Sequence, residues 1–299
     1  MQTALWQVAQ IYLDTRDVAA DLLPLKIAGN EVRFLRSSLL DDCQFMTDQS
    51  GNWHLRFFVG TEFEQKLFVR FTNADDVITI KTRLKRTPGP NLNYLTMLVF
   101  SVGADDPEFI ESRVAGASSI LKDSLAIRDG HLIRTDYHSG YVDGRGEIYL
   151  SSHDPDINFQ RHILLHALAQ AYMQVMSQLK HRLRPGLIGQ GDIRVLRAVY
   201  QDFVHFNAHF FFLQPALYSR PAMCEAWQRI DEAYRVCAEN RELFEKIKSV
   251  HFLLDLENSE KEAAHRESSN AKMNQLNITI AVVGVLIALS TWLIEYLGS

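Results

Sequence analysis

Cysteine is scarce: Cys43, Cys224 and Cys237 are three in 299 residues, an odd number at wide spacing with no CxxC pair. That excludes a zinc knuckle or a disulfide framework as the organising device. Reduced thiols fit a cytosol-like compartment. Positive charge is not in excess either. A net charge of −5 argues against general nucleic-acid binding, which needs surplus Lys and Arg to displace counterions; only local basic patches stay open. The first residues, MQTALWQVAQIYLDTRD, lack a basic leader followed by an apolar run, so no signal peptide is expected there. They read as a first strand. No GxSxG and no acid pair on one face offers a nucleophile or base, so an enzyme is the less expected class. Glycine and proline are missing from residues 222–283, which leaves that stretch permissive for helix.

What is present reads as a packed globular chain. It is 47% hydrophobic and 22% charged, enough for one or two domains with a core that needs no disulfide. Residues 1–155 predict an α+β domain with a mostly antiparallel sheet. Trp53–Val59, Lys66–Phe71 and Val77–Thr82 are short β-branched and aromatic runs, each bounded by polar or glycine-containing breaks. Asn93–Val102 is a longer apolar run that suits a strand buried on both faces, after a turn at Pro88-Gly89-Pro90. Asp105-Asp106-Pro107 predicts a helix start, running to about Ala126. Strands near Leu132–Tyr137 and Glu147–Ser151 follow, with Asp143-Gly144 as a tight turn.

From Asp156 the period becomes helical. A helical region is expected over 156–238: one helix over 157–183 ended by Arg184-Pro185-Gly186, a second capped by Asp192 and stopped by Pro215, a third opened by Pro221. Gly186–Gly191 reads as a connection between helices, since it lacks the strand and Lys-Ser/Thr of a phosphate loop. Residues 239–276 predict a helical, coiled-coil-like stalk. It carries an apolar seam of Leu243, Ile247, Val250 and Leu254, then acid-before-base pairs such as Glu262–Arg266.

Residues 277–297 predict a single transmembrane helix. Ile278–Ile294 is uncharged and spans about 25 Å as a helix, near the lower limit for hydrocarbon. Trp292 and Tyr296 sit toward its far end. Lys261, Arg266 and Lys272 precede it and no Lys or Arg follows, which predicts a tail anchor with the N-terminal domain in the cytoplasm. Ala281, Gly284 and Ala288 form a small-residue face suited to packing of membrane helices.

Two HxxxH spacings are the most unusual local feature. His162/His166 and His205/His209 each place two imidazoles on one helix face, and two such helices together could supply four ligands to a divalent metal. No glutamate follows the first histidine of either pair, so the hydrolytic metal motif is not met. Neutral, hydrogen-bonded histidines among apolar residues are the plainer reading, and no cofactor is expected beyond that possible metal. Two basic clusters, Lys180 with Arg182 and Arg184, and Arg83 with Lys85 and Arg86, suit anion or lipid contact or plain solvated surface. Phe210-Phe211-Phe212 reads as core, or else as an apolar surface.

The order of parts resembles two families. An α/β domain, helices and a long stalk over Asn240–Leu297 resemble, in layout, the cytosolic half of the CorA-type divalent-cation transporters. The chain lacks their Gly-Met-Asn tripeptide and second span, so their selectivity is not implied. Leu164–Met173 (LLHALAQAYM), the helix around Trp227–Tyr234 and the stalk resemble the family named for its requirement in meiotic nuclear division. That resemblance implies a membrane-tethered scaffold. The expectation is a homo-oligomeric protein, contacting membrane lipid and an unknown ligand or protein partner, that acts as a sensing module or scaffold coupled to the membrane, in one form a pore-forming or membrane-perturbing effector. The alternative is a metal-dependent enzyme using the paired histidines.

Overall fold

A computed structural model of the chain describes residues 5–16, 21–86, 89–102, 107–135, 138–151, 157–187 and 193–297. It is α+β, with nine strands in one mostly antiparallel sheet, seven α-helices and a 3₁₀ turn at Asp129–His131. The strands are β1 (Trp6–Asp14), β2 (Leu23–Pro24), β3 (Cys43–Thr47), β4 (Trp53–Phe57), β5 (Gln65–Ala74), β6 (Leu92–Val102), β7 (Ile133–Arg134), β8 (His138–Asp143) and β9 (Gly146–Ser151). They lie in the order β2-β3-β4-β5-β1-β6-β9-β8-β7, and only β6 and β9 run parallel. The helices are α1 (Ser37–Leu40), α2 (Val77–Leu84), α3 (Pro107–Lys122), α4 (Ile157–Leu187), α5 (Ile193–His209), α6 (Pro221–Tyr234) and α7 (Val236–Leu297).

Alternation along the strands gives the sheet two faces with different cover. Ala9 and Ile11 of β1, Leu67 and Val69 of β5 and Tyr149 of β9 join the main core, built against α4 to α7. Trp6, Val8, Val99, Ile148 and Leu150 face the other way, under Ile80 of α2 and Val114, Ala117 and Leu121 of α3. On the β3-β4-β5 side that second face holds a small cluster, Tyr12 with Phe68 and Leu92, and among the described residues no helix lies over it. The helical region therefore packs on the sheet and shares its core. Within that core Tyr172, Trp227 and Phe206 are fully enclosed. Phe210 is buried there too, while Phe211 and Phe212 are half-buried against it.

Several expected elements differ. Val77–Thr82 is helix, not strand: Asp76 caps it by accepting from the Thr79 amide at 2.8 Å, and the β-branched content yields to that cap and to the burial of Ile80. Pro185 does not end α4, which continues to Leu187, because a proline in the last turn removes only one helical hydrogen bond. The third helix does open at Pro221, but α5 ends at His209, ahead of Pro215. The turn residue Pro88, the caps Asp105, Asp106 and Asp192, and residues 188–191 of the glycine-rich connection lie outside the described residues.

The stalk and the expected span are one continuous helix, α7, of 62 residues. Its root is buried through Val236, Leu243, Ile247 and Val250; from Phe252 to Val285 every described side chain is exposed. The expected transmembrane helix, and with it the single-pass membrane localisation, is overturned. Among the described residues no helix is long and apolar enough to cross a membrane. Ala281 and Gly284 lie on the exposed part of α7, and the side chain of Ala288 is outside the described residues.

Candidate functional site

Glu147 is the second residue of β9, a strand whose side chains are all buried. Strand alternation turns it toward α4, where His162 and His166 share one helix face. The carboxylate takes both. His162 Nδ1 lies 2.8 Å from Glu147 Oε1 and His166 Nε2 lies 2.9 Å from Oε2, with the three side chains at most 5% exposed. From His166 the chain of hydrogen bonds continues. Its Nδ1 is 2.9 Å from the Tyr234 hydroxyl, which is 2.7 Å from Thr96 Oγ1.

Counting donors fixes the direction of this chain. The Thr96 hydroxyl donates its one proton to the Arg145 carbonyl at 2.9 Å, so it accepts from Tyr234. Tyr234 has then spent its proton, and His166 Nδ1 must donate to it. Burial alone would push the Glu147 carboxyl up. The charges and hydrogen bonds of His162 and His166 outweigh it and hold the carboxyl well below the ordinary range. An ionised Glu147 accepts from both rings. Burial raises the Tyr234 phenol, keeping it a neutral donor at any physiological pH.

His162 differs from His166 in having one side free for chemistry. Glu147 holds its Nδ1–H, so in the neutral ring Nε2 carries the lone pair of a fixed tautomer. The ring meets His138 and Tyr149 edge-on, with centroids at 5.5 and 5.0 Å, while His138 stacks flat on Tyr149 at 4.2 Å. His162 and His138 line a cavity of about 220 Å³ with Thr135, Asn158, Met223 and Arg229. A second cavity, of about 280 Å³, is lined by Glu147 with Gly140, Val142, Arg229 and Glu232. Arg229 of α6 borders both. Such a site can hold a small polar molecule against an oriented imidazole, or let that imidazole take a proton.

The other sequence candidates are dispersed. His205 and His209 lie at the end of α5 with ring centroids 4.8 Å apart, His205 half exposed and 3.7 Å from Glu62. Among the described residues no group of three or more His, Cys, Asp or Glu is arranged to hold a metal ion. At 2.8–2.9 Å, Glu147 and its imidazoles point at each other; ligands around a tetrahedral zinc stand about 3.3 Å apart and point at the ion. Lys180 pairs with Glu239 of α7, and Arg182 with Asp202 of α5 at 2.6 Å, so these two cations join helices. Arg184 is exposed, Arg83 donates to the Asn73 carbonyl, and Lys85 and Arg86 are exposed at the end of α2.

Sequence reasoning missed Glu147, Tyr234 and Thr96. The one available signal was an acid within a strand otherwise fit for burial. The chain matches no family model, no curated protein and no solved structure.

Proposed function

We propose that the chain is a ligand-sensing module that self-associates along α7. A small polar ligand enters the cavity beside His162, and the Glu147–His166–Tyr234 chain carries its presence to the root of the helix. The observation behind this reading is the position of Tyr234. It is the last residue of α6, bonded to His166 and Thr96, and one residue, Arg235, separates it from α7. A change at His162 or Glu147 thus has a hydrogen-bonded route to the point where α7 leaves the body.

Self-association is supported by the exposure of every described side chain of α7 from Phe252 to Val285. A lone helix in water gains little without a packed face. A second copy laid parallel matches the apolar stretch Leu276–Val285 with itself, and the polar stretch before it likewise. Exposed Ala281 and Gly284 allow close approach, and a Cβ added at Gly284 meets nothing within 4 Å.

Native mass spectrometry of the purified chain tests both parts. A multimer carrying a small ligand, with the ligand lost in His162→Gln and slower amide exchange over 236–250 when it is bound, supports the reading. A ligand-free monomer refutes it.

An enzyme is the second reading, favoured by the Glu147–His162 pair, which has the form of a carboxylate-oriented general base. His162→Gln keeps a donor toward Glu147 and loses the basic nitrogen. Turnover abolished with ligand still bound would establish the enzyme.

A further inference from the structure

The face of the sheet that the described helices leave open carries a concentration of positive charge that its neighbours answer only in part: Glu64 pairs with Arg56 and Asp14 with Arg16. Across β4, β5 and β1, His54 lies beside Phe68 and Phe68 beside Tyr12; Arg56 pairs with Lys66, and Gln10 with Arg70. At one end of this face a cavity of about 380 Å³ is lined by Arg16, Arg70 and Arg86 with Ser50, Asn52 and Phe68. Among the described residues three guanidiniums border it and no carboxylate does.

Two of the three are uncompensated. Asp14 holds Arg16 by two hydrogen bonds of 2.8 Å, and the guanidinium lies over the Phe68 ring at 4.8 Å. Arg70 donates from Nη1 to the Arg86 backbone carbonyl at 2.7 Å. Neither Arg70 nor Arg86 makes a salt bridge among the described residues. Bringing like charges to one cavity costs energy unless an anion fills it. Arginine's planar fork fits phosphate oxygens in pairs, and its charge is permanent.

Beside this cavity, sharing Arg16, Ser50 and Phe68, runs a trough of about 960 Å³ lined also by Gln44, His54 and Lys66. Of its three carboxylates, Asp14 and Asp48 are engaged, while Asp21 is exposed at the rim. Asp48 accepts from the Ser50 and Asn52 amides at 2.8 and 2.9 Å, and both Asp14 and Asp48 are held below the ordinary carboxylate range, their hydrogen bonds outweighing burial. The trough has a mixed lining, with Met46, Leu55 and Phe68 beside the polar groups, and room for an organic body; it adds Lys66 and Arg56, the latter paired with Glu64 at 2.8 Å.

We infer that this face binds a phosphate ester: its phosphate sits among Arg16, Arg70 and Arg86, and its organic part lies in the trough over His54 and Phe68. The inference does not depend on the reading of the His162 cavity, which lies on the opposite face of the sheet.

Calorimetric titration of the full chain at low salt with AMP, glucose 6-phosphate, inorganic pyrophosphate, adenosine and glucose tests it. At least one ester should bind more tightly than about 1 mM and more tightly than pyrophosphate, and the two unphosphorylated compounds should not bind. Arg86→Gln, an exposed position whose side chain supports no other residue, should fold with an unchanged melting midpoint and weaken the ester about tenfold. Arg70→Gln should weaken the ester as well, and it also loses the bond to the Arg86 carbonyl. Arg184→Gln, an exposed arginine on α4, should leave binding intact. The inference is overturned if no ester binds, if pyrophosphate binds as well as the esters, or if Arg86→Gln and Arg184→Gln behave alike. A preference for AMP over glucose 6-phosphate, or the reverse, identifies which kind of organic body the trough takes.

Discussion

The Tyr234 hydroxyl lies 2.9 Å from Nδ1 of His166, joining the end of α6 to the middle of α4 inside the core. Neither group has water to fall back on. Tyr234→Phe leaves the His166 donor and the Thr96 acceptor without a partner, at a cost of about 1–3 kcal/mol. Urea unfolding at neutral pH measures it. A change below a few tenths of a kcal/mol would mean that water replaces the hydroxyl and that the chain of hydrogen bonds ends at His166.

Glu147→Gln should cost more, about 3–5 kcal/mol, because it takes the charged acceptor from two buried imidazoles and turns an amide N–H toward one of them. The effect should not add to that of His166→Gln. A double-mutant cycle reads this as a coupling of about 1–3 kcal/mol. Additive effects would show that the two side chains do not share a proton.

Acidity should act through the same carboxylate. The folded-state value for Glu147 is depressed relative to the unfolded chain, so its contribution is complete above the ordinary glutamate value of about 4.3 and is lost as pH falls toward the folded value. Asp14, Asp48 and Asp143 are depressed as well and contribute in the same sense. Urea midpoints measured from pH 7 down to pH 3 should therefore fall more steeply for the wild type than for Glu147→Gln. Parallel curves would contradict the assignment.

Gly146, just ahead of Glu147, has φ +150°, and a Cβ there would stand 1.8 Å from the Met97 carbonyl oxygen of β6. Backbone opposes backbone at this point, so no rotamer relieves the clash. Gly146→Ala should lose more than about 3 kcal/mol, or fail to accumulate as folded protein. Gly284→Ala on exposed α7 provides the comparison and should fold normally.

Removal of residues 256–299 separates the body from the arm. No described side chain from Phe252 to Val285 is buried against the body, so the urea midpoint of the shortened chain should match that of the full one. Sedimentation should meanwhile show a monomer where the full chain is a multimer. A shortened chain that still self-associates would place the contact on the body.

Local signals account for much of this fold. Alternation and turn residues marked β1, β4, β5 and β6, Pro221 marked the start of α6, and the absence of glycine and proline marked the helical tract that became α7. Val77–Thr82 misled because its β-branched residues resemble a strand, while one carboxylate before it decides for helix. The apolar run at the C-terminal end drew a membrane reading that the described residues of α7 do not support. For the site, the His162/His166 spacing was visible and its meaning was not. Their shared partner is 15 and 19 positions away on a strand, and Tyr234 is 68 positions from His166. Only the packing of α4 on β9 makes these residues neighbours.

One left-handed residue, Arg235 at φ +59°, is all that interrupts the helical path from α6 into α7. The root of α7 is held in the core as far as Val250, and about 70 Å of helix lies beyond it, so a tilt of about 10° in that root displaces the far end by about 12 Å. On the proposed coupling, a small rearrangement around a buried phenol would be magnified by that length into a sweep wide enough to decide whether two tips meet.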